Sequence, residues 1–423
     1  MKKIFYKATS ILIILGCVGL GSSTAFGSTA GDSPKLSREE IQQHSIQQYS
    51  HLLDSFGNSF HMEYPETYAG AYVNDDGILT VKMTTSSLND INSMKKAAKS
   101  DHLIFEEAQY SFSYLKEIKD TISDYMDSHP QQGRLPIQGC GINEMENCVD
   151  VYVIGHSEEN IKMIKNVVDS PAIHFIFVSE EDSEDKTPPV RSEKSSDKLD
   201  FFKAIPSSSV LRRVTPTFLY SGSQIITEKD SGRTNMSVGY RAKRKINATT
   251  YEYGFVTAGH GTKSVGNGKV YNTSGEQIGI VTARLFNALG DFSFVKMNSN
   301  VSVYKSILNQ SGTVLPTYAT PPIGSVIHKC GYRSGVTTAK VLYTSYDGYD
   351  SSGVNPRELL VAEADSYLEI QPGDSGGIVY INNNNVNHTV VGTISGRSRI
   401  KMKDCLMVMK ASNIAAYGAT YPN

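Results

Sequence analysis

The chain has no excess of basic residues. Its 423 residues include 41 Lys and Arg against 43 Asp and Glu, which gives a formal net charge of −2. A protein that binds nucleic acid usually presents enough positive charge to neutralise several phosphates. We therefore expect no nucleic-acid partner, and we interpret the one basic cluster, Arg241–Lys245, as the solvated face of a hairpin.

Long hydrophobic runs and metal-binding motifs are also scarce. The apolar run that begins at Ile11 is short and rich in glycine, so it does not predict a stable membrane span. The chain contains no His-Glu-x-x-His motif and no sequence cluster of Cys and His, so His44, His51 and His61 are interpreted as surface or helix residues. We expect no metal and no cofactor, with calcium on a surface loop as the alternative.

The N-terminus has the features of a secretion signal. Lys2, Lys3 and Lys7 precede the short apolar run, and Ala25-Phe26-Gly27 offers small residues for cleavage. Residues 1–27 are therefore expected to be a signal peptide of a secreted, extracellular protein. The segment before Cys17 loosely resembles a lipobox, so a lipid anchor on Cys17 is the alternative.

Cysteine is sparse as well, with only four residues left after the signal peptide. An even number of cysteines in an oxidising compartment favours disulfides, and four cysteines allow three connectivities. A bond between Cys140 and Cys148 would close a short loop and is the preferred pair. Cys330 and Cys405 would then form the second bond.

The N-terminal part, residues 28–180, is predicted to be α+β. Ser37 and Glu40 form a capping box that opens a helix running toward Phe56, and a hairpin is expected over residues 71–83. A weak duplication, in which residues 79–84 match residues 149–154, predicts two units that each contain a hairpin, a helix and a strand. The alternative is an unrelated N-terminal binding domain.

Residues 181–213 are predicted to be a flexible linker. The segment is rich in charge, contains Pro188-Pro189 and lacks apolar periodicity, so we expect a maturation cleavage there, with the dibasic Arg212-Arg213 as a second candidate. From residue 214 to 423, glycines and short β-branched runs favour an all-β domain.

Three motifs in this last domain place a histidine, an aspartate and a serine in order. His260 ends a Thr-Ala-Gly-His segment, Asp291 follows it, and Ser375 lies further on within Gly-Asp-Ser-Gly-Gly. A serine hydroxyl attacks a carbonyl well only when an imidazole takes its proton, and a carboxylate must orient that imidazole. Each motif alone is compatible with a structural turn, but together they predict a catalytic triad of His260, Asp291 and Ser375.

Backbone amides next to Ser375 are predicted to complete the site. The amides of Gly373 and Ser375 are the expected donors to the oxyanion that forms when a carbonyl is attacked. Glycine at 373 suits a backbone that turns its N–H toward the substrate.

These motifs resemble the streptogrisin and alpha-lytic endopeptidase branch of the chymotrypsin-fold serine peptidases. The segments 255–260, 371–377, 236–240 and 333–338 carry the resemblance, which covers about residues 214–423. It implies two six-stranded antiparallel β-barrels with the triad between them. It also implies a pre-pro-enzyme whose pro-region assists folding, and an aspartate at 374 that pairs with a new N-terminus or with a substitute partner.

The sequence departs from this branch at its disulfides. The family usually has a cysteine directly after the catalytic histidine, bonded to one before the Ser-Val-Gly segment. Those positions hold Gly261 and Met236, and another expected cysteine is absent near Glu369 and Ile370.

Substrate specificity is predicted from the strand at residues 392–397. By resemblance, Ser395, Gly396 and Arg397 form one wall of the primary specificity pocket. Arg397 stands where glycine is usual, so it would narrow the pocket or meet an acidic side chain, and Glu369 would instead favour a basic one or pair with Arg397. Arg397 pointing into solvent is the alternative.

Taken together, the sequence predicts a secreted serine endopeptidase that is made as a zymogen. We expect it to act as a monomer on protein or peptide substrates and to have its own pro-region as a partner. The alternative is an inactive or regulated protease-fold protein that acts as an extracellular binding module.

Overall fold

The computed structural model describes residues 37–58, 61–85, 87–129, 135–179, 216–349, 354–366, 369–400 and 403–421. These residues belong to one compact unit, Ser37–Asn423. The predicted signal peptide, Cys17 and the predicted linker at residues 181–213 lie outside the described residues. The domain boundaries given above remain predictions.

The described helices are α1 Arg38–Phe56, α2 Leu88–Ala98, α3 Phe112–Ser128, α4 Glu158–Val167 and α5 Ala411–Ala416. The strands of the N-terminal region, residues 37–179, are β1 Gly57–Asn58, β2 His61–Met62, β3 Tyr68–Val73, β4 Leu79–Met83, β5 Ile104–Glu107, β6 Ile137–Asn143, β7 Cys148–Ile154 and β8 Ile173–Val178.

The strands of the barrel domain, residues 216–421, are β9 Thr217–Ser221, β10 Gln224–Lys229, β11 Gly232–Ser237, β12 Arg241–Lys245, β13 Tyr251–Thr257, β14 Lys269–Tyr271, β15 Gln277–Asn287, β16 Gly290–Met297, β17 Val301–Ile307, β18 Thr313–Tyr318, β19 Val326–Gly331, β20 Gly335–Gly348, β21 Leu359–Ala364, β22 Ile378–Asn383, β23 Asn387–Ile400, β24 Lys403–Lys410 and β25 Ala419–Thr420.

The predicted capping box begins α1. The Ser37 hydroxyl accepts from the Glu40 amide at 3.2 Å, and the Ser37 amide donates to the Glu40 carboxylate at 2.7 Å. These bonds satisfy two amide groups that the first turn of a helix leaves without partners. The helix continues to Phe56 as predicted and buries Tyr49 and Leu52.

The predicted duplication is present in the N-terminal region. The first unit runs β3, β4, α2, β5, and the second runs β6, β7, α4, β8. In the first unit Thr80 pairs with Ile104 in parallel strands, and at the corresponding positions of the second unit Asp150 pairs with His174. The two units therefore share one strand register.

The barrel domain has the predicted all-β architecture. The second barrel is a closed ring of six antiparallel strands in the order β19-β22-β23-β24-β21-β20, closed by pairing of β19 with β20. The first is an antiparallel sheet of seven strands, β11-β10-β14-β15-β16-β13-β12, which β25 extends at the β12 edge. The expected fold class is confirmed, although the first sheet has eight strands with β25 included, two more than the six expected.

The second barrel and the N-terminal region share one sheet. Strand β20 pairs with β6 through Tyr346 and Gly141, and β6 leads on to β7 and β8. Helix α1 also contacts this barrel, because Gln42 exchanges two hydrogen bonds with the backbone of Val326 and Ile46 is buried among the barrel's apolar side chains.

The two expected disulfides are not formed in the described part of the chain. Cys140 lies opposite Val151, whereas Cys148 lies opposite Asn143. A register difference of three residues separates the two cysteines by about 10 Å along the hairpin, beyond the ~7 Å that a disulfide tolerates between its Cα atoms. The expectation was wrong because Cys148 directly follows the turn at residues 144–147, whereas Cys140 lies further from the turn on the other strand.

Cys330 and Cys405 lie on opposite sides of the second barrel. Two strands separate β19 from β24 in either direction around the ring. Both side chains are buried, and burial raises the pKa of each thiol to about 12. They therefore act as apolar core side chains.

No helix among the described residues is both long and apolar enough to cross a membrane.

Candidate active site

The three predicted triad residues meet where the two barrels face each other. His260 follows the end of β13, Asp291 is the second residue of β16, and Ser375 lies in the turn before β22. Strands β13 and β16 are adjacent and antiparallel, with Thr257 opposite Ser293. The first sheet therefore brings His260 and Asp291 together, and the second barrel supplies Ser375.

The side chains form a continuous chain of hydrogen bonds. His260 Nδ1 lies 2.8 Å from Asp291 Oδ2, and His260 Nε2 lies 3.0 Å from Ser375 Oγ. The His260 side chain is about a third exposed, whereas Asp291 is buried. This geometry is that of a base held between an orienting carboxylate and a nucleophile.

Asp291 is held by donors on both carboxylate oxygens. Oδ1 accepts from the amides of Gly259 at 2.7 Å and His260 at 2.8 Å, and Oδ2 accepts from the Ser395 hydroxyl at 2.6 Å. Burial alone would raise the pKa of Asp291, but the nearby His260 imidazole and these hydrogen bonds hold it below its usual value. The carboxylate is thus kept ionised beside the imidazole.

Three of the five backbone amides in the turn at residues 373–377 are hydrogen-bonded within the chain. The amides of Asp374, Gly376 and Gly377 donate to backbone carbonyls. The amides of Gly373 and Ser375 donate to no group within the described residues. These are the two amides predicted to bind the oxyanion.

Glycine is required in this turn at two positions. Gly373 has a φ of 107°, and a side chain there would collide with the Tyr332 ring. Gly376 has a φ of 82°, and a Cβ there would collide with the Thr257 hydroxyl oxygen. Other side chains are disfavoured at such φ values and would not fit here.

Asp374 has a partner inside the chain. Its buried carboxylate accepts from the amides of Arg333 at 2.9 Å, Ser334 at 3.0 Å and Gln371 at 2.9 Å. Lys329 Nζ lies 3.4 Å from Asp374 Oδ2, and the Ser334 hydroxyl also contacts that oxygen. Lys329 is therefore the substitute partner that the resemblance left unspecified.

The predicted pocket residues lie on β23 beside the triad. Ser395 bonds to Asp291, so its side chain supports the triad instead of facing a substrate. A side chain at Gly396 would meet open space. The Arg397 guanidinium lies 3.4 Å from the Ile370 carbonyl oxygen, and the Glu369 carboxylate accepts from the Asp365 amide at 3.2 Å.

Two supporting residues were not singled out from the sequence. The Ser237 hydroxyl donates to the Gly373 carbonyl and accepts from the Tyr332 amide, both at 2.9 Å, and so fixes the turn that carries Ser375. Lys329 is the second. Ser237 lies in a segment that the family resemblance marked, whereas no sequence pattern distinguishes Lys329 from an ordinary strand lysine.

The positions of the missing family cysteines are adjacent in space. The buried Met236 sulfur occupies the space that a side chain at Gly261 would take. A thioether packed against a glycine thus fills the place of the covalent bridge.

Two sequence models of known protein families match the N-terminal part of the chain. Residues 35–108 match the sequence model of a Pro-like N-terminal domain, and residues 113–177 match that of a Pro-like C-terminal domain. The expected resemblance is confirmed. The N-terminal region, residues 37–179, therefore resembles a pro-region, and the name pro-region is used for it below.

Solved protease structures align with about half of the chain. Cellulomonas bogoriensis chymotrypsin shows 21% identity over 48% of this chain and 98% of its own, with a TM-score of 0.37. Nocardiopsis protease shows 21% identity over 49% and 100%, with a TM-score of 0.39, and Thermobifida fusca protease A shows 18% identity over 48% and 98%, with a TM-score of 0.38. No curated protein sequence matches the chain.

Proposed function

We propose that this protein is a secreted serine endopeptidase, synthesised as a zymogen, that cleaves peptide bonds with Ser375, His260 and Asp291. The observation that carries the proposal is the unbroken chain of hydrogen bonds from Asp291 through His260 to Ser375 Oγ. Asp291 keeps its charge beside His260, which favours the imidazolium that forms during the reaction.

The reaction begins when Ser375 Oγ attacks the peptide carbonyl and gives its proton to His260 Nε2. The tetrahedral intermediate collapses as His260 returns that proton to the leaving amine, which leaves an acyl group on Ser375. A water molecule then gives a proton to His260 and attacks the acyl carbon, and the same steps in reverse release the product acid and restore Ser375.

The free amides of Gly373 and Ser375 stabilise the negative oxygen of both tetrahedral intermediates. An oxyanion donor of this kind is worth about 3 to 4 kcal/mol of transition-state energy. These donors are useful only if the turn is held rigid, which is the role assigned to Ser237 and to Asp374 with Lys329.

The pro-region is proposed to assist folding and to be removed by cleavage within residues 181–213. Its shared sheet with β20 supports this role, because β6 pairs with the end of β20 at Tyr346–Gly348, beyond the residues that pair with β19.

The proposed pocket is bounded by Gly396 and Arg397. The Arg397 contact with the Ile370 carbonyl supports a guanidinium at the pocket wall, which would favour an acidic or small side chain at the cleaved bond. Profiling a peptide library with wild type and Arg397→Gly tests this assignment. An unchanged preference would remove Arg397 from the pocket.

The deciding experiment compares the intact masses of secreted wild type and Ser375→Ala. We expect wild type to be trimmed near residues 181–213 and the mutant to remain uncut, which would establish self-processing by Ser375. Labelling of wild type, but not of the mutant, by a serine-directed phosphonate would confirm the nucleophile independently.

The alternative function is an inactive protease-fold protein that acts as an extracellular binding module. An uncut wild type that also fails to react with the phosphonate would support it. Identical trimming of both proteins, with phosphonate labelling of wild type, would instead mean that another protease matures an active enzyme.

A further inference from the structure

A thiol, a carboxylate and an imidazole lie close together on the sheet of the pro-region. Cys148 and Asp150 lie two residues apart on β7, so they share a face, and His174 lies beside Asp150 on the parallel strand β8. Asp150 Oδ1 lies 2.8 Å from His174 Nδ1 and 3.7 Å from Cys148 Sγ, and all three donor atoms lie within 4.8 Å of one another.

The separations suit a small tetrahedral cation. Zinc binds thiolate sulfur at about 2.3 Å and imidazole nitrogen or carboxylate oxygen at about 2.0 to 2.2 Å, which places neighbouring ligand atoms roughly 3.3 to 3.6 Å apart. Shifts of less than about 1 Å bring Cys148 and His174 to those separations from Asp150. Two of the three side chains, Cys148 and His174, are accessible from solvent, which gives an ion a path to the site.

The buried carboxylate between them is already oriented. Asp150 Oδ2 accepts from Asn143 Nδ2 at 3.0 Å and from the Tyr343 hydroxyl at 2.5 Å. These two bonds leave Oδ1 directed at the sulfur and the imidazole. In metalloproteins, residues of the second coordination sphere hydrogen-bond to a ligating group and so orient it toward the ion. The two bonds to Asp150 Oδ2 would act in this way on Oδ1.

The internal repeat shows that the fold itself does not require these residues. When the two units are aligned by their strand register, the first has Ile78, Thr80 and Ile104 where the second has Cys148, Asp150 and His174. The same two-strand register is thus built without a thiol, a carboxylate or an imidazole. The ligand set belongs to the second unit alone.

We propose that Cys148, Asp150 and His174 form a zinc site in the pro-region, with water as the fourth ligand. The Cys148 thiol loses its proton on binding, so the affinity falls as the pH falls. The sequence predicted no metal, because the three ligands come from two strands with a helix between them and match no contiguous motif.

The site is linked to docking of the pro-region on the barrel domain. Tyr343 belongs to β20 of the barrel domain, whereas the three ligands belong to the pro-region. The Tyr343 hydroxyl can orient Asp150 only while the pro-region is docked on the barrel domain. The metal affinity is therefore higher in the docked state than in the undocked state. By reciprocity, a bound ion then strengthens docking by the same factor.

The test uses the full-length Ser375→Ala chain, reduced and freed of metal, titrated with Co²⁺ alone. We expect one Co²⁺ per chain, with visible bands of four-coordinate cobalt and a near-ultraviolet band of thiolate-to-cobalt charge transfer, both removed by Zn²⁺. Zn²⁺ alone should raise Tm by several degrees. The expected binding of Co²⁺ and Zn²⁺ does not require an active triad, so the test is independent of the proposed protease function.

Matched variants separate this site from other thiols. Cys148→Ser should abolish the charge-transfer band and His174→Ala should weaken Co²⁺ binding, whereas Cys140→Ser, a buried thiol on the adjacent strand, should change neither. Tyr343→Phe should weaken binding by about 10-fold or more. Absence of the charge-transfer band in the parent, or its persistence in Cys148→Ser, would overturn the proposal and leave a hydrogen-bonded cluster only.

Discussion

At the scale of single residues, Asp291 is the point on which the candidate site depends. It receives two backbone amides, the imidazole of His260 and the hydroxyl of Ser395. The sequence assigned Ser395 to substrate binding because the segment at residues 392–397 resembles the strand that forms one wall of the family's specificity pocket. The side chain turns the other way, toward the carboxylate, and Ser395 lies at an irregularity in the pairing of β23 with β24, between Ile394 and Gly396.

Ser395→Ala should lower kcat of the mature enzyme by about 10-fold while KM changes little. Removing a hydrogen bond to a charged group costs about 1.5 to 3 kcal/mol, and part of that loss appears as weaker orientation of His260. Steady-state kinetics on one peptide substrate measures the effect. Ser398→Ala, further along β23, is the control, and an equal loss there would contradict a specific role for Ser395.

A second single residue, Glu144, links stability to pH. It is fully buried between the pro-region and β20, and it accepts from the Thr344 hydroxyl and from the Ala71 amide at 2.7 Å. Burial raises the pKa of Glu144 to about 7, although these hydrogen bonds act in the opposite direction.

The Ser375→Ala zymogen should therefore lose stability as the pH rises from about 4.5 to about 7. In that window the folded state retains a proton on Glu144 that the unfolded chain, with a pKa near 4.5, has already released. At about 1.4 kcal/mol per pKa unit, the total change is about 3 kcal/mol.

Urea unfolding at several pH values, with Glu144→Gln beside its parent, isolates this contribution. The amide does not titrate, so the variant should lose most of the slope between pH 4.5 and 7. Parallel slopes in the two proteins would show that Glu144 does not titrate in this range.

At the scale of elements, the turn that carries Ser375 depends on β19. Lys329 projects from this strand to the buried Asp374, and within the described residues it is the only cation within 4.0 Å of that carboxylate. Lys329 and Asp374 are paired while the pro-region is attached. The conformation of the turn therefore does not require a new N-terminus.

Lys329→Met should destabilise the barrel domain by about 3 to 5 kcal/mol, because it leaves the Asp374 carboxylate buried without a cation. The turn should also loosen, and kcat/KM should fall by roughly 10- to 100-fold. Urea unfolding and kinetics measure the two effects. Lys340→Met, an exposed lysine on β20, is the control, and full activity in Lys329→Met would refute the role of this pair.

At the scale of the whole molecule, the pro-region and the second barrel share a buried ionic cluster as well as a sheet. Lys119 of α3 is fully buried and lies 2.7 Å from Asp347 and 3.0 Å from Glu358, both on the barrel domain. Burial lowers the pKa of Lys119, but Asp347 and Glu358 outweigh it and raise that pKa well above its usual value. Separation of the two parts would leave these charges without their partners, so the cluster favours the docked arrangement.

Lys119→Met in the Ser375→Ala chain should lower the free energy of unfolding by about 3 to 5 kcal/mol. The substitution removes a buried cation that pairs with the carboxylates of Asp347 and Glu358. Chemical denaturation measures the loss. Lys165→Met is the control, because Lys165 is half exposed and pairs with Asp169, one helical turn away. A loss in Lys119→Met no larger than in the control would contradict the role of the cluster.

The sequence alone determined the features that depend on neighbours along the chain. The Ser37 capping box, the internal duplication, the all-β pattern and the Gly-Asp-Ser-Gly-Gly turn follow from local backbone preferences and short-range hydrogen bonds, and the structure contains each of them. The order of His260, Asp291 and Ser375, together with the family resemblance of their motifs, also predicted that the three residues meet between two barrels.

Only the tertiary structure decided which distant residues face each other. It separated Cys140 from Cys148 by a register difference, directed Ser395 to Asp291, gave Asp374 its Lys329 and gathered Cys148, Asp150 and His174 on one face. Each of these depends on how strands and turns are placed against one another, including the side of a strand on which a residue falls. A change of one residue in register reverses that side, and the linear sequence does not state the register.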